Sequence, residues 1–91
     1  MILRAIGPSL GIAGQLEDPL LELFDSNGNP IASNNNWRDT QQAEIEATTI
    51  PPSNNLESAI VTSLPPAAYT AIVRGVNDTT GVALVEAYAL D

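Results

Sequence analysis

Apolar and polar positions alternate most clearly between residues 21 and 37. Leu21 and Leu23 fall on one face of an extended segment, and Glu22 and Phe24 fall on the other. Asp25-Ser26-Asn27-Gly28-Asn29-Pro30 breaks that alternation. Asn27-Gly28 is the pair favoured in a type I′ hairpin turn, because both residues tolerate positive φ. Pro30 has no N–H to donate and suits the first position of an edge strand over residues 31 to 33. The stretch therefore predicts a strand, a tight turn and a second strand. Asn34-Asn35-Asn36-Trp37 follows as an Asn-rich loop closed by the only tryptophan.

The rest of the chain reads in the same grammar. Residues 2 to 6 form a first strand ended by Gly7-Pro8. Residues 7 to 19 are rich in Gly and Pro and predict a packed loop, with room for a short edge strand at 11 to 13. Residues 39 to 48 are the single helical window. Asp39 or Thr40 is its cap, and Asp39 with Gln42 would make a capping box. Ala43, Ile45 and Ala47 make a poor helical stripe, so the helix is short, and Ile50-Pro51-Pro52 ends it. Strands are predicted over 57 to 64, 69 to 76 and 82 to 90. Their weak alternation fits strands covered on both faces. The last two predict a hairpin across Asn77-Asp78-Thr79-Thr80-Gly81. Together these elements predict an all-β fold: a small antiparallel β-sandwich or jelly roll of about six to eight short strands, with one short helix near 40 to 48.

Length makes this a single module whose core is modest, since a domain this short buries only about 60 to 65% of the surface its unfolded chain would expose. The 91 residues contain no Cys, so neither a disulfide nor a thiolate metal site can staple it. There are eleven carboxylates against three arginines, with no Lys and no His, for a net charge of −8. That balance argues against nucleic acid and anionic membrane surfaces as partners, because both require Lys and Arg. It leaves cation binding open. No apolar run approaches the roughly 18 residues that a membrane helix needs. A strand beginning at residue 2, with no export signal before it, predicts a domain that belongs to a longer chain.

Three blocks taken together are familiar. They are Leu3-Arg4-Ala5-Ile6-Gly7-Pro8-Ser9-Leu10, then Leu21-Glu22-Leu23-Phe24-Asp25-Ser26-Asn27-Gly28, then Ala68-Tyr69-Thr70-Ala71-Ile72-Val73-Arg74-Gly75 leading to Thr80-Gly81-Val82-Ala83-Leu84-Val85-Glu86-Ala87-Tyr88. The chain resembles a β-sandwich repeat module that occurs, often in tandem, in large secreted and surface proteins of environmental bacteria. More loosely, the hairpin resembles bacterial pre-peptidase C-terminal domains. The resemblance implies an extracellular or cell-surface location and carries no catalytic residue. One departure is visible, since Pro66-Ala67-Ala68-Tyr69 stands where the module has Pro-Gly-Ala-Tyr.

Candidate chemistry concentrates between 25 and 39. Asp25, Asn27 and Asn29 stand at alternate positions around Gly28, and with Asp39 they could offer oxygens to Ca²⁺, which takes six to eight such ligands. The same residue types also simply make turns. Asn34, Asn35, Asn36 and Trp37 could form a carbohydrate site, with the indole stacking on a sugar face and the amides bonding its hydroxyls. The competing role for Trp37 is to plug one end of a small sandwich. Arg4 and Arg74 sit in strand-like segments and predict cross-strand pairs with Glu57 or Glu86. Without His or Cys, a serine nucleophile lacks its usual base and zinc motifs are impossible. The expected function is a non-catalytic structural or assembly unit of a secreted bacterial protein: spacer, adhesive or self-associating. Its expected partners are neighbouring copies or tandem domains. The alternative is a module that binds Ca²⁺ or a glycan at 25 to 39.

Overall fold

Leu21 and Leu23 are buried side by side, and the fold is built around the face they share. In the computed structural model, which describes residues 1–65 and 67–89, they project from β2 (Pro19–Phe24). The other strands are β1 (Ile2–Ile6), β3 (Pro30–Asn34), β4 (Ser58–Val61), β5 (Thr70–Gly75) and β6 (Leu84–Tyr88). They form two antiparallel three-stranded sheets, ordered β4-β1-β6 and β3-β2-β5, so this is a small all-β sandwich. Between the sheets Leu3, Ala5 and Ile60 meet Leu21 and Leu23.

Period-two geometry explains a second core. Alternate residues of a strand point to opposite faces, so Leu3 and Ala5 face inward while Ile2 faces outward. Ile2 and Ala59 are covered on that outer face by Trp37 and by Ile45 of the single helix α1 (Gln42–Ala47). This second layer shields β4 and β1 and leaves the outer face of β6 bare, with Leu84 and Tyr88 exposed. At one flank of the sandwich β3 lies against β4. At the opposite flank stand β5 and β6, whose inward residues Ala71, Val85 and Ala87 remain exposed.

Several expectations need correction. Residues 69 to 76 and 82 to 90 are not a hairpin. β5 joins β2 and β6 joins β1, so the connection crosses from one sheet to the other. The crossing is made by Val76–Asp78, where Asn77 and Asp78 take positive φ. At the 25–29 turn only Gly28 has positive φ. The turn is therefore not type I′, and a register shift at Leu23/Phe24 accommodates its extra residue. No strand forms at 11 to 13. The loop instead has a 3₁₀ turn at Pro8–Leu10, and Gln15 bridges Val82 in parallel. Strand β4 begins one residue after Glu57 and ends at Val61, beyond which Thr62 and Met1 still exchange N–H to carbonyl bonds. The departure at Ala67 adjoins Pro66, which lies outside the described residues, as does the predicted strand end at Leu90.

The core assignment is testable. Leu21→Ala should lower unfolding free energy by about 2 to 5 kcal/mol in urea titrations. Ile31→Ala, on the exposed side of β3, should change it by less than about 0.5 kcal/mol.

Candidate functional site

The polar residues around β4 determine what the 34–41 loop can do. Asn34 ends β3 and is buried. Its amide donates to the Asn36 carbonyl at 3.0 Å and to Thr40 Oγ1 at 2.9 Å, while Oδ1 accepts the Ala59 N–H at 2.9 Å. Gln41 Nε2 donates to the Val61 carbonyl at 2.9 Å, and Gln41 Oε1 accepts the Val61 N–H at 3.0 Å. The Trp37 backbone N–H donates to the Glu57 carbonyl at 2.9 Å. Residues 34 to 41 thus satisfy the outer edge of β4 without forming a strand. The expected cap at Asp39 or Thr40 does not form: α1 starts later, after Gln41, with no side-chain cap, while Thr40 Oγ1 accepts the Asn34 amide and the Gln41 side chain is committed to Val61.

The sugar-site expectation is corrected at two of its four residues. Trp37 is only 3% exposed and its ring packs on Ile2, Ile45 and Ala59, so it offers no face for stacking a sugar. Arg38 lies over the indole at 4.4 Å and bonds Asn55 Oδ1 at 2.7 Å, closing the outer side. Asn34 is equally inaccessible, because its amide serves the loop and β4. Asn35 and Asn36 are half-buried. Among the described residues, Asn35 Oδ1, Asn36 Oδ1 and Trp37 Nε1 are buried atoms without a hydrogen-bond partner.

The candidate calcium ligands divide. Asp25 Oδ1 accepts the N–H groups of Asn27 and Asn29, both at 2.9 Å, and Oδ2 lies 3.4 Å from Asn29 Nδ2. Its carboxylate therefore organises the turn itself. The Asn29 N–H, against a desolvation that works the other way, holds the Asp25 carboxyl below its ordinary range. Asp39 stands beyond the opposite end of β3 and takes a long 3.5 Å contact from Asn36 Nδ2. Among the described residues no three carboxylates gather closely enough to hold a metal ion. Burial pushes the Asp18 carboxyl upward, and its Oδ1 is buried without a partner.

The residue that sequence reasoning missed is Glu57. It is fully buried. Its Oε2 accepts the N–H groups of Gly7 at 2.9 Å and Ser9 at 2.8 Å. Its Oε1 accepts Ser9 Oγ at 2.6 Å and the Asn54 N–H at 3.2 Å. This set accounts for the Gly7-Pro8-Ser9 block. A Cβ on residue 7 would lie 1.9 Å from the Leu16 carbonyl oxygen, so only glycine fits. Pro8 opens the 3₁₀ turn. Ser9 supplies two donors. The available signal was a lone carboxylate at the head of the apolar run Ser58-Ala59-Ile60-Val61, where an unpaired charge would be costly to bury. The expected arginine pairs are partly realised. Arg4 bonds Glu86 at 2.5 Å, as expected, whereas Arg74 bonds Glu22 at 2.5 Å.

One further space could take a ligand. A cavity of about 570 Å³ opens between the sheets, lined by Leu3, Leu23, Leu64, Tyr69 and Ala71 among others. Its walls are mainly apolar, and the Tyr69 hydroxyl donates to the carbonyl of Pro65, another lining residue, at 2.6 Å. Compared with known proteins, the chain matches no protein-family model, no curated protein and no solved structure.

Two outcomes follow from these bonds. Glu57→Gln places an amide N–H₂ where an oxygen accepts, and should cost about 3 kcal/mol or more of stability by urea unfolding. Asp25→Asn keeps the turn's acceptor and removes its charge. Folding lowers this pKa, so the charge stabilises the fold above the ordinary value of 3.8, and the effect is lost as pH falls through the folded value. The variant should therefore melt below the parent at pH 7, and the two should converge as the pH drops under that value.

Proposed function

We propose that this chain is a non-catalytic structural module whose work is to present and join sheet surfaces in a larger secreted or surface-displayed bacterial protein. The observation that carries this reading is the use of its polar side chains. Glu57, Asn34, Gln41 and Asp25 are the residues whose chemistry would suit a site, and each bonds the chain's own backbone. A carboxylate that already accepts several N–H and O–H groups is poorly placed to act as an acid, a base or an ion ligand. The location rests on the resemblance of the Gly7-Pro8-Ser9 and Thr80-to-Tyr88 blocks to the bacterial repeat module. Self-association, adhesion and spacing are all roles that a small sandwich with a bare flank can fill.

A second reading keeps one observation in its favour. Asn35 Oδ1 and Asn36 Oδ1 are buried without partners in adjacent residues, and amide oxygens of this kind suit Ca²⁺ or a sugar hydroxyl.

Thermal unfolding separates the two readings. A ligand at 100 times its Kd adds about 2.7 kcal/mol to stability. The structural reading expects the same Tm in Ca²⁺ and in EDTA, and no change in Trp37 fluorescence across a panel of soluble glycans. A rise in Tm with Ca²⁺ that Asn35→Ala and Asn36→Ala abolish would transfer the function to the 34–37 loop.

A further inference from the structure

We propose that the bare edge of β6 is a self-association surface, on which a second copy of this chain lays its own β6 antiparallel to join two β4-β1-β6 sheets into one continuous sheet. This rests on the structural reading above and deepens it by assigning the surface and the partner.

Four observations carry it. Of the eight exposed large hydrophobic side chains among the described residues, Val82, Leu84, Val85 and Tyr88 lie within residues 82 to 88. Leu84 and Tyr88 stand on the outer face of β6 and Val85 on the inner face, so exposed apolar side chains flank this edge on both faces, a feature that invites strand addition. The other edge of this sheet is closed, since β4 is bonded by Asn34 and Gln41, and the Glu57 carbonyl just before it by the Trp37 backbone N–H. β3 carries Pro30 at its start and a register shift beside it, both of which discourage strand addition. β6 carries no Pro, no Lys and no bulge, and β1 is its one strand partner among the described residues. The gap beside it runs inward, because Ala71 of β5 and Ala89 beyond β6 both line the cavity between the sheets.

Charge selects the occupant. The whole chain carries −8, so two copies repel across most approaches. Within β5 and β6 the charged side chains are paired. Glu86 is paired with Arg4 on the β6 sheet, and Glu22 with Arg74 on the β5 sheet, which uses two of the three arginines. A cationic partner would be drawn to the acidic remainder of the surface. A second copy meets paired charges on β6 and an apolar edge like its own. A twofold axis is the usual symmetry for such a contact, because each patch then meets itself. Centred on Val85, it sets Val82 opposite the partner's Tyr88 and Glu86 opposite the partner's Leu84. Like charges are thereby kept from facing each other.

Sedimentation velocity on the whole chain, from about 1 µM to about 500 µM, tests the contact by mass action. The expected result is a monomer–dimer equilibrium, with backbone amides of 84 to 88 exchanging hydrogen more slowly at the high concentration. Leu84→Lys combined with Val85→Lys should weaken dimerisation by at least about tenfold, while Ile31→Lys on β3 leaves it unchanged. Circular dichroism establishes that each variant is folded. The exchange comparison on the parent chain decides the matter if the double variant is not. A parent chain that stays monomeric throughout, or shows no added protection at 84 to 88, overturns the proposal. Dimers that persist in the folded double variant but fail with Ile31→Lys also overturn it, yet leave the structural reading standing. A Ca²⁺ or glycan dependence of Tm overturns the structural reading separately.

Discussion

The carboxylate of Glu57 locks the loop after β1 onto the start of β4, just beyond the point where the ladder between these two strands ends. Removing a charge from water costs several kcal/mol, and this one is fully buried. Four donors offset that cost: the N–H groups of Gly7, Ser9 and Asn54 and the Ser9 hydroxyl. The consequence is positional. The loop after β1 is tied to the start of β4, two segments separated by about fifty residues. The Glu57 carbonyl meanwhile receives the Trp37 backbone N–H, which sets the indole over Ile2 and Ala59. One residue thus fixes the entry to β4, the 3₁₀ turn at Pro8–Leu10 and the seat of the only tryptophan. A chain without disulfides has few other ways to secure so small a core.

The same economy governs the strand edges. Ser58 Oγ, facing the opposite sheet, lies within hydrogen-bond reach of the Pro19 and Asn35 carbonyls. It helps to draw the two sheets together where the Asn-rich loop begins. Asn34 and Gln41 then cap the backbone of β4. Amide side chains suit this task because each carries both a donor and an acceptor, as a peptide group does. β6 receives no such cover. Burial pushes the Glu86 carboxyl up, but the Tyr88 hydroxyl and the Arg4 guanidinium outweigh it and hold the group below its ordinary range. Arg4 also lies 5.4 Å from the Tyr88 ring. That cluster orders the side chains on the outer face of β6 without covering its edge.

Much of this was legible in the sequence, for identifiable reasons. The alternation Leu21-Glu22-Leu23-Phe24 places a buried face and an outer face because side-chain direction in a strand is set by the backbone alone. Pro30 at the head of β3, Pro51-Pro52 after α1 and the turn residues at 25 to 29 act through their own φ preferences and need no distant partner. Arg4 with Glu86 was foreseeable as a pair of opposite charges within strands. The turn type was not, since Asn27 and Asp25 could satisfy more than one geometry. The Asn34–Trp37 loop misled because amides beside an aromatic ring describe a binding site and a buried cap equally well.

By itself the sequence determined the class of fold, the central strands and the balance of charge, because periodicity, proline and net charge are properties of neighbouring residues or of simple sums. Tertiary structure alone decided which strands share a sheet. β5 and β6 are adjacent in sequence and look like a hairpin, yet they lie in different sheets, each bonded to a strand from far along the chain. It also decided that Glu57 belongs with Gly7 and Ser9, that Gln41 serves β4 instead of its own helix, and that the bare flank lies at β6. Each depends on which backbone groups remain unpaired once the chain has closed, and local pattern does not record that.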